Sequence, residues 1–304
     1  MSESKNKVLL TGASGLLGRA IHKKFKSEGW NVLGTALTRV SGDLKKVDIT
    51  DEKEVKSTIE NFKPDCIIHS AALRFPDKCD KNPEEAEKLN VTATKYISAV
   101  AASKGIPVIY ISTDYVFDGK NAPYLTNSKT NPVNTYGKTK LEGEIVTQQQ
   151  SQNNIILRVP VLYGPVTSLA ESAVTTLLQN LLNSKKPVTV SNYEKRRPSH
   201  VDDIASICFD LVIKGLTDRN VRGIYQWSGE EVFTKYQMIQ VMSDIFNLKM
   251  DHITPDSNPG DSSAVARPYD VTLDSSRLQS LGITHHTIFK DGLQDLKQWV
   301  DKSK

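Results

Sequence analysis

Short apolar runs alternate with amphipathic stretches through the first half of the chain, and the alternation predicts strands and helices in turn. Val8-Leu9-Leu10 reads as a strand ending in a glycine loop, and residues 16–28 then carry apolar positions at helical spacing until Gly29 closes them. A second strand is expected over residues 31–36 and a short third over 46–49, followed by a helix over 51–62 that Pro64 terminates. Cys66-Ile-Ile-His-Ser70 and Val108-Ile-Tyr-Ile-Ser112 are continuous apolar runs, the kind that a parallel sheet buries on both faces, with a long helix over 83–104 between them. A helix over 136–150 and a strand over 155–159 complete the pattern of an α/β fold, a doubly wound parallel Rossmann sheet.

Past Pro160 the character changes. Helices are expected over 172–183, 203–214 and 235–246 and a strand over 223–227, separated by loops rich in Pro, Ser and Asp. No clean linker divides the chain, so residues 1–160 read as a nucleotide-binding domain and 161–304 as a smaller α/β lobe interleaved with it. The longest irregular segment, 255–268, is either a cover over the substrate side or, more plainly, a connecting loop.

Composition narrows the class without deciding it. A chain of 304 residues with 38% hydrophobic content is long enough for one large α/β domain with an appendage. The formal charge of +4, with basic residues scattered among 35 acidic ones, gives no nucleic-acid footprint. Cys66, Cys79 and Cys208 have no CxxC spacing and leave an odd thiol, which suits a reducing compartment. With no signal-like apolar start and no run of membrane-spanning length, a soluble cytoplasmic protein is expected. The six histidines show no ligand spacing, so no metal site is expected.

Two separated motifs carry the chemistry. In Thr11-Gly-Ala-Ser-Gly-Leu-Leu-Gly18, Gly12 allows a tight turn, Gly15 lets a pyrophosphate approach the backbone, and Gly18 lets the helix pack on the sheet. The helix N-terminus then adds positive potential. At the end of the second strand an NAD site usually offers a carboxylate to the ribose, whereas this chain has Gly34-Thr-Ala-Leu-Thr-Arg39. Arg39 can pair a 2′-phosphate and Thr38 can add a hydroxyl, so NADP(H) is the expected dinucleotide; an exposed loop arginine is the bland alternative. Asp48 either reaches the adenine edge or caps the following helix. Downstream, Tyr136 and Lys140 lie four apart on one helix face, so the ammonium can lower the phenol's pKa and reach the nicotinamide ribose. Thr113, at a strand's carboxyl end, would orient a carbonyl that receives a hydride and a proton from Tyr136.

Through Ser112-Thr-Asp-Tyr-Val-Phe-Asp-Gly119 and Tyr136-Gly-Lys-Thr-Lys-Leu-Glu-Gly-Glu144 the chain resembles the extended short-chain dehydrogenases/reductases of the dTDP-4-dehydrorhamnose reductase type. It is more similar still to their branch of methionine adenosyltransferase regulatory, or beta, subunits, through GASGLLGRAIHK, ILRVPVLYG, ESAVT and LDSSRLQSLGI. The resemblance spans nearly the whole chain. It implies that Ser14, Gly15, Leu16 and Leu17, the turn Leu37-Thr38-Arg39, and Asp48-Ile49 hold the adenosine half of NADP. It likewise implies that Ser70 and Arg74 line the phosphate and nicotinamide side, with Tyr136 and Leu162 reaching the nicotinamide. A regulatory subunit would bind the methionine adenosyltransferase catalytic subunit and adjust its production of S-adenosylmethionine, with NADP a structural ligand more than a consumed reductant.

The sequence departs from these families in places. It ends at Leu296-Lys-Gln-Trp-Val-Asp-Lys-Ser-Lys304, without the aromatic-ended tail with which animal members engage the catalytic subunit. Trp299 is expected either to substitute for that tail or to close over the core. Where sugar reductases usually present a tryptophan, this chain has Val159-Pro-Val-Leu162, which alters the sugar-stacking surface. Lys195-Arg196-Arg197 reads equally as a diphosphate or partner contact and as a solvated loop. Arg158 is expected to brace the site from a strand end.

Overall fold

The computed structural model describes residues 6–260 and 265–303. Strand β1 (Lys7–Thr11) buries Val8, Leu9 and Leu10 together because it lies in mid-sheet with both faces covered. The chain then turns into α1 (Leu16–Ser27), whose buried Leu16, Leu17, Ala20, Ile21 and Phe25 repeat at helical spacing. There follow β2 (Asn31–Ala36), β3 (Lys45–Lys46), α2 (Glu52–Phe62) and β4 (Cys66–His69). Next come α3 (Pro76–Lys81), α4 (Pro83–Glu87), α5 (Ala93–Ser103), β5 (Val108–Thr113), α6 (Thr135–Gln150) and β6 (Ile155–Val159). Later elements are β7 (Leu162–Tyr163), α7 (Ala173–Leu182), β8 (Val188–Ser191), β9 (Ser199–His200) and α8 (Val201–Thr217). After them come β10 (Gly223–Gln226), α9 (Lys235–Phe246) and β11 (Ile253–Asp256).

Seven strands make one parallel sheet in the order β10-β6-β5-β4-β1-β2-β3. The order reverses at β1: the chain leaves through β2 and β3 and returns to β4 on β1's other side. In such sheets the crevice at this reversal, outside the strands' carboxyl ends, is where ligands sit. The second half of the chain completes the sheet, because β10 pairs with β6 from Gly223↔Ile155 to Gln226↔Arg158. Helix α8 packs along α1, where Phe209 meets Phe25 edge-on at a centroid distance of 5.2 Å. No helix of the described residues is long and apolar enough to cross a membrane.

Several local expectations change. The third strand is confined to Lys45–Lys46, although the Val47 amide still bonds the Ala36 carbonyl at 3.0 Å, and Val47 and Ile49 bury their side chains in the cluster under α2 and α5. Asp51, not Asp48, caps α2, its carboxylate accepting from the amides of Lys53 and Glu54. The expected helix over 83–104 contains a π-turn at Lys88–Thr92. There the buried Asn90 accepts from the Leu73 amide at 2.8 Å and donates to the Leu73 carbonyl at 3.0 Å and to Thr139 Oγ1 at 3.0 Å, tying the loop after β4 to α6. The segment 255–268 begins inside β11, with Pro255 opposite Val190 and Asp256 opposite Ser191. Its residues 261–264 lie outside the described residues. Beyond them, Ala266 accepts from Asn134 Nδ2 at 2.8 Å and Pro268 from Arg196 Nη1 at 3.0 Å, so its end is fastened beside the loop that starts α6.

Arg158, expected to brace the site, braces the sheet against α6 instead. Its guanidinium pairs with Glu144 on α6 through two bonds of 2.8 and 2.6 Å, donates to Gln226 Oε1 at 3.0 Å, and is buried like its partner. Ser112 Oγ gives Glu144 a further bond at 2.5 Å, so β5, β6, β10 and α6 meet at one charged node. Removing one partner strands the other charge in the interior. Glu144→Leu should therefore cost about 3–5 kcal/mol, and Glu144→Leu with Arg158→Met distinctly less than the two single losses added together. Urea unfolding of the four proteins measures this; additive losses would show that the two side chains are not coupled.

Candidate functional site

The turn from β1 to α1 is built by close approach. Gly12 has φ of 69°, and a Cβ there would come within 2.8 Å of the Ala71 backbone; one on Gly18 would meet the Gly12 carbonyl at 2.1 Å. The Ala13 amide is pinned to the Thr35 carbonyl of β2 at 3.0 Å. Gly15 is the N-cap of α1 and no side chain caps the helix, so its first-turn amides remain for an anion. This glycine cradle fits a dinucleotide pyrophosphate. Ser14, Leu16 and Leu17 lie in it, the leucines with their side chains buried beneath.

Around the cradle the expected adenosine residues take different postures. Leu37 and Arg39 are exposed in the turn after β2. Arg39, however, is not a free loop arginine: its Nη1 donates to Glu171 Oε1 at 2.7 Å. Arg19 on α1 joins the same carboxylate with bonds of 3.1 and 2.8 Å, and the Thr167 amide adds one at 2.9 Å. Burial would raise the Glu171 carboxyl, but the Arg19 and Thr167 hydrogen bonds, the Arg19 charge and the Arg39 hydrogen bond outweigh it and bring it down to about 2. Asp48 spends Oδ1 on the amide and hydroxyl of Thr50, at 2.9 and 2.8 Å, so it shapes the turn before α2, while the neighbouring Ile49 is core. Ser70 ends the β4 run. Arg74 stands 4.3 Å from the Phe75 ring, with Tyr136, Glu171, Arg39 and Arg19 as the charged or ionisable groups around it. Leu162 is half-buried in β7.

The strand-end motif and the helix motif do come together. Thr113 closes β5 and accepts from the Tyr115 amide at 3.2 Å while donating to Asp114 Oδ1 at 3.1 Å. Asn134 caps α6 through the Gly137 amide at 2.9 Å and so sets Tyr136 in the first turn, half-buried and edge-on to Tyr115. Burial pushes the Tyr136 phenol up, against a hydrogen bond from Thr113 and the charge of Arg74. The expectation that Lys140 lowers the phenol's pKa is corrected. Lys140 shares the helix face, but Nζ runs inward to the Ile111 carbonyl at 2.7 Å and lies 3.9 Å from the centre of the Tyr110 ring. Burial brings the amine down to about 7, with Glu144 opposing. Burial likewise raises Asp114 to about 7 against Arg196, and lowers His69 to about 3.

Other singled-out residues are fasteners. Arg196 is buried, donating to the carbonyls of Lys195 at 2.6 Å and Pro268 at 3.0 Å, and Arg197 donates to those of Gly229 and Glu230, both at 2.8 Å. The solvated-loop expectation for this triplet therefore fails, because two of its three cations are spent on backbone. Trp299 packs against the main core, and the three cysteines are free and buried. Sequence reasoning gave no role to Glu171 or Arg19. Both lie in matched segments, Arg19 in GASGLLGRAIHK and Glu171 at the head of ESAVT, but nothing in the spacing links Glu171 to two arginines in the first forty residues.

Lys140 generates a test of this electrostatic picture. A lysine whose folded pKa lies near 7, below its usual value of about 10.5, weakens the fold while protonated and stops doing so as pH rises through that window. Wild-type stability relative to Lys140→Met should therefore increase between pH 7 and 9.5, as read by urea unfolding. A gap that does not change with pH would mean that the amine is not depressed.

Comparison with known proteins places the whole chain. A family model described as the RmlD substrate binding domain matches residues 6–301. Methionine adenosyltransferase 2 subunit beta of Xenopus tropicalis is 43% identical over 289 residues, covering 95% of this chain and 86% of that protein. A dTDP-4-dehydrorhamnose reductase of Aggregatibacter actinomycetemcomitans is 31% identical over 241 residues, 78% of each chain. Among solved structures, a dTDP-4-dehydrorhamnose reductase from Bacillus anthracis in complex with NADP superposes with a TM-score of 0.84 over 98% of this chain and 100% of that one; at 24% identity it speaks for the fold alone.

Proposed function

The chain belongs to the RmlD substrate binding domain family and, within it, to the methionine adenosyltransferase 2 beta subunits, and from that premise we propose that it is an NADP-binding regulatory subunit of methionine adenosyltransferase. It would bind the catalytic subunit and adjust synthesis of S-adenosylmethionine. The observation that carries this reading is the 43% identity across 95% of the chain to a beta subunit, against 31% over 78% to a reductase.

In this reading the α1 amides take the pyrophosphate, and Thr38 and Arg39 take the 2′-phosphate beside Leu37 and the Asp48-Ile49 turn. Ser70, Arg74, Tyr136 and Leu162 line the nicotinamide side, with Lys140 behind Tyr136 on the same helix face. A bound nicotinamide supplies hydride chemistry. Lys140 is turned to a backbone carbonyl and not toward the phenol, which favours holding the coenzyme over using it. A ligand bound only by the folded chain stabilises it by about 2.7 kcal/mol at a hundredfold excess over its Kd, which suffices for a structural role. Residues 161–304 would form the lobe that presents the partner surface. A second reading, an NADPH-dependent reductase of a nucleotide-linked 4-keto sugar, has one observation in its favour: Thr113 and Tyr136 meet at the carboxyl end of β5, placed to orient a carbonyl and protonate its oxygen.

Two measurements test these readings. The chain should co-purify with the methionine adenosyltransferase catalytic subunit and shift its kinetics, and Tyr136→Phe should leave that shift intact; oxidation of NADPH by a keto sugar that vanishes in the same variant would favour the reductase. In calorimetry NADPH should bind more tightly than NADH, and Arg39→Ala should weaken NADPH by about ten- to a hundredfold while sparing NADH. Equal losses for both nucleotides would remove Arg39 from the phosphate site.

A further inference from the structure

We infer that Glu171 is a specificity-determining residue: its carboxylate competes with a ribose 2′-phosphate for Arg39, and so sets how strongly the site prefers the phosphorylated dinucleotide. The inference rests on the reading of Arg39 as the 2′-phosphate partner, and it adds a residue from the other half of the chain, Glu171 at the head of ESAVT, to which the resemblance assigns no role.

The geometry separates a fixed anion from a movable cation. Glu171 ends a short turn at Leu169–Glu171 just before α7, and its side chain is 6% exposed. Four N–H groups converge on it: Nη1 and Nη2 of Arg19, the Thr167 amide and Nη1 of Arg39. Arg19 is itself anchored, donating to the Ser14 carbonyl at 2.9 Å and the Pro165 carbonyl at 3.2 Å. Glu171 therefore cannot follow Arg39 if that side chain moves. Arg39 can move. Its side chain is 54% exposed, sits on a loop, and contributes one nitrogen to an oxygen that Arg19 already shares.

A 2′-phosphate carries about two negative charges and three acceptor oxygens, and so offers Arg39 more than its share of one carboxylate oxygen. A ribose hydroxyl offers no charge and leaves the pair in place. Two anions would then flank one guanidinium, with Glu171 both holding Nη1 back and repelling the phosphate. Its charge persists at every working pH, since the arginines and the Thr167 amide keep it ionised. The opposite sign, Glu171 aligning Arg39 for the phosphate, would require a guanidinium pinned at more than one nitrogen.

Calorimetry of NADPH and NADH with the full chain decides between the signs. Glu171→Gln keeps a side-chain oxygen for Arg19 and removes the charge. It should tighten NADPH by about two- to fivefold, the size of one partly exposed ion pair, and leave NADH unchanged. The gain should disappear in the Arg39→Ala background. Where the glutamine variant folds poorly, Glu171→Asp, a methylene shorter and out of reach of Arg39, should tighten NADPH to a smaller degree. NADPH binding that weakens or stays the same in Glu171→Gln overturns the proposal while Arg39→Ala still weakens NADPH. If Arg39→Ala leaves NADPH binding untouched, the reading of Arg39 falls, and this inference with it.

Discussion

Every strand of the large sheet points the same way, so all its carboxyl ends lie along one edge, and the reversal of strand order at β1 opens a crevice in that edge. The crevice exists only because backbone can come very close to backbone there. Gly12 passes so near Ala71 that even a methyl group would collide, and Gly18 lets α1 settle against the turn it leaves. With larger residues the helix would lift off the sheet and carry its amides away from the mouth. The strand ends at Thr113 and Arg39 would remain, but with no anion seat between them.

Much of this architecture was legible because buried parallel strands advertise themselves as unbroken apolar runs. Val8 to Leu10, Cys66 to Ile68 and Val108 to Ile111 are such runs, and each became a strand of the sheet. What stayed hidden depends on distant partners. The apolar Val47 and Ile49 suggested a longer third strand, yet pairing ends with the Val47 amide on Ala36, and their side chains are buried in the cluster under α2. The π-turn at Lys88–Thr92 serves Asn90, whose partners Leu73 and Thr139 come from other elements. At the site, spacing correctly put Tyr136 and Lys140 on one face, but a face does not say where a four-carbon chain ends. Lys140 ends at Ile111, because a buried amine needs an acceptor and β5 supplies one.

Charge is handled differently at the two ends of the crevice. Around Thr113 and Tyr136, burial works against ionisation: the Tyr136 phenol and the Asp114 carboxyl are pushed up and the Lys140 amine is pushed down. The cation acting on the phenol is Arg74, whereas the lysine on its own helix face is directed to the Ile111 carbonyl. On the adenosine side, charges are kept, paired and partly wetted, with Arg19 and Arg39 sharing Glu171. Such an arrangement grips an anion without needing to move a proton.

That grip also joins the two halves of the chain. Arg19 and Arg39 belong to the β1-to-β3 region, whereas Glu171 precedes α7 and is held by Thr167. A phosphate that draws Arg39 away leaves the Arg19–Glu171 pair intact, so one strand of the connection loosens while the other holds. The second half is anchored besides by β10 in the sheet and by Phe209 against Phe25, contacts far from the nucleotide mouth. A dinucleotide that recruited Arg39 would therefore leave the segment before α7, and the contact between the halves, in place. Such an exchange of partners would ask a single half-exposed arginine to move and would leave the core untouched.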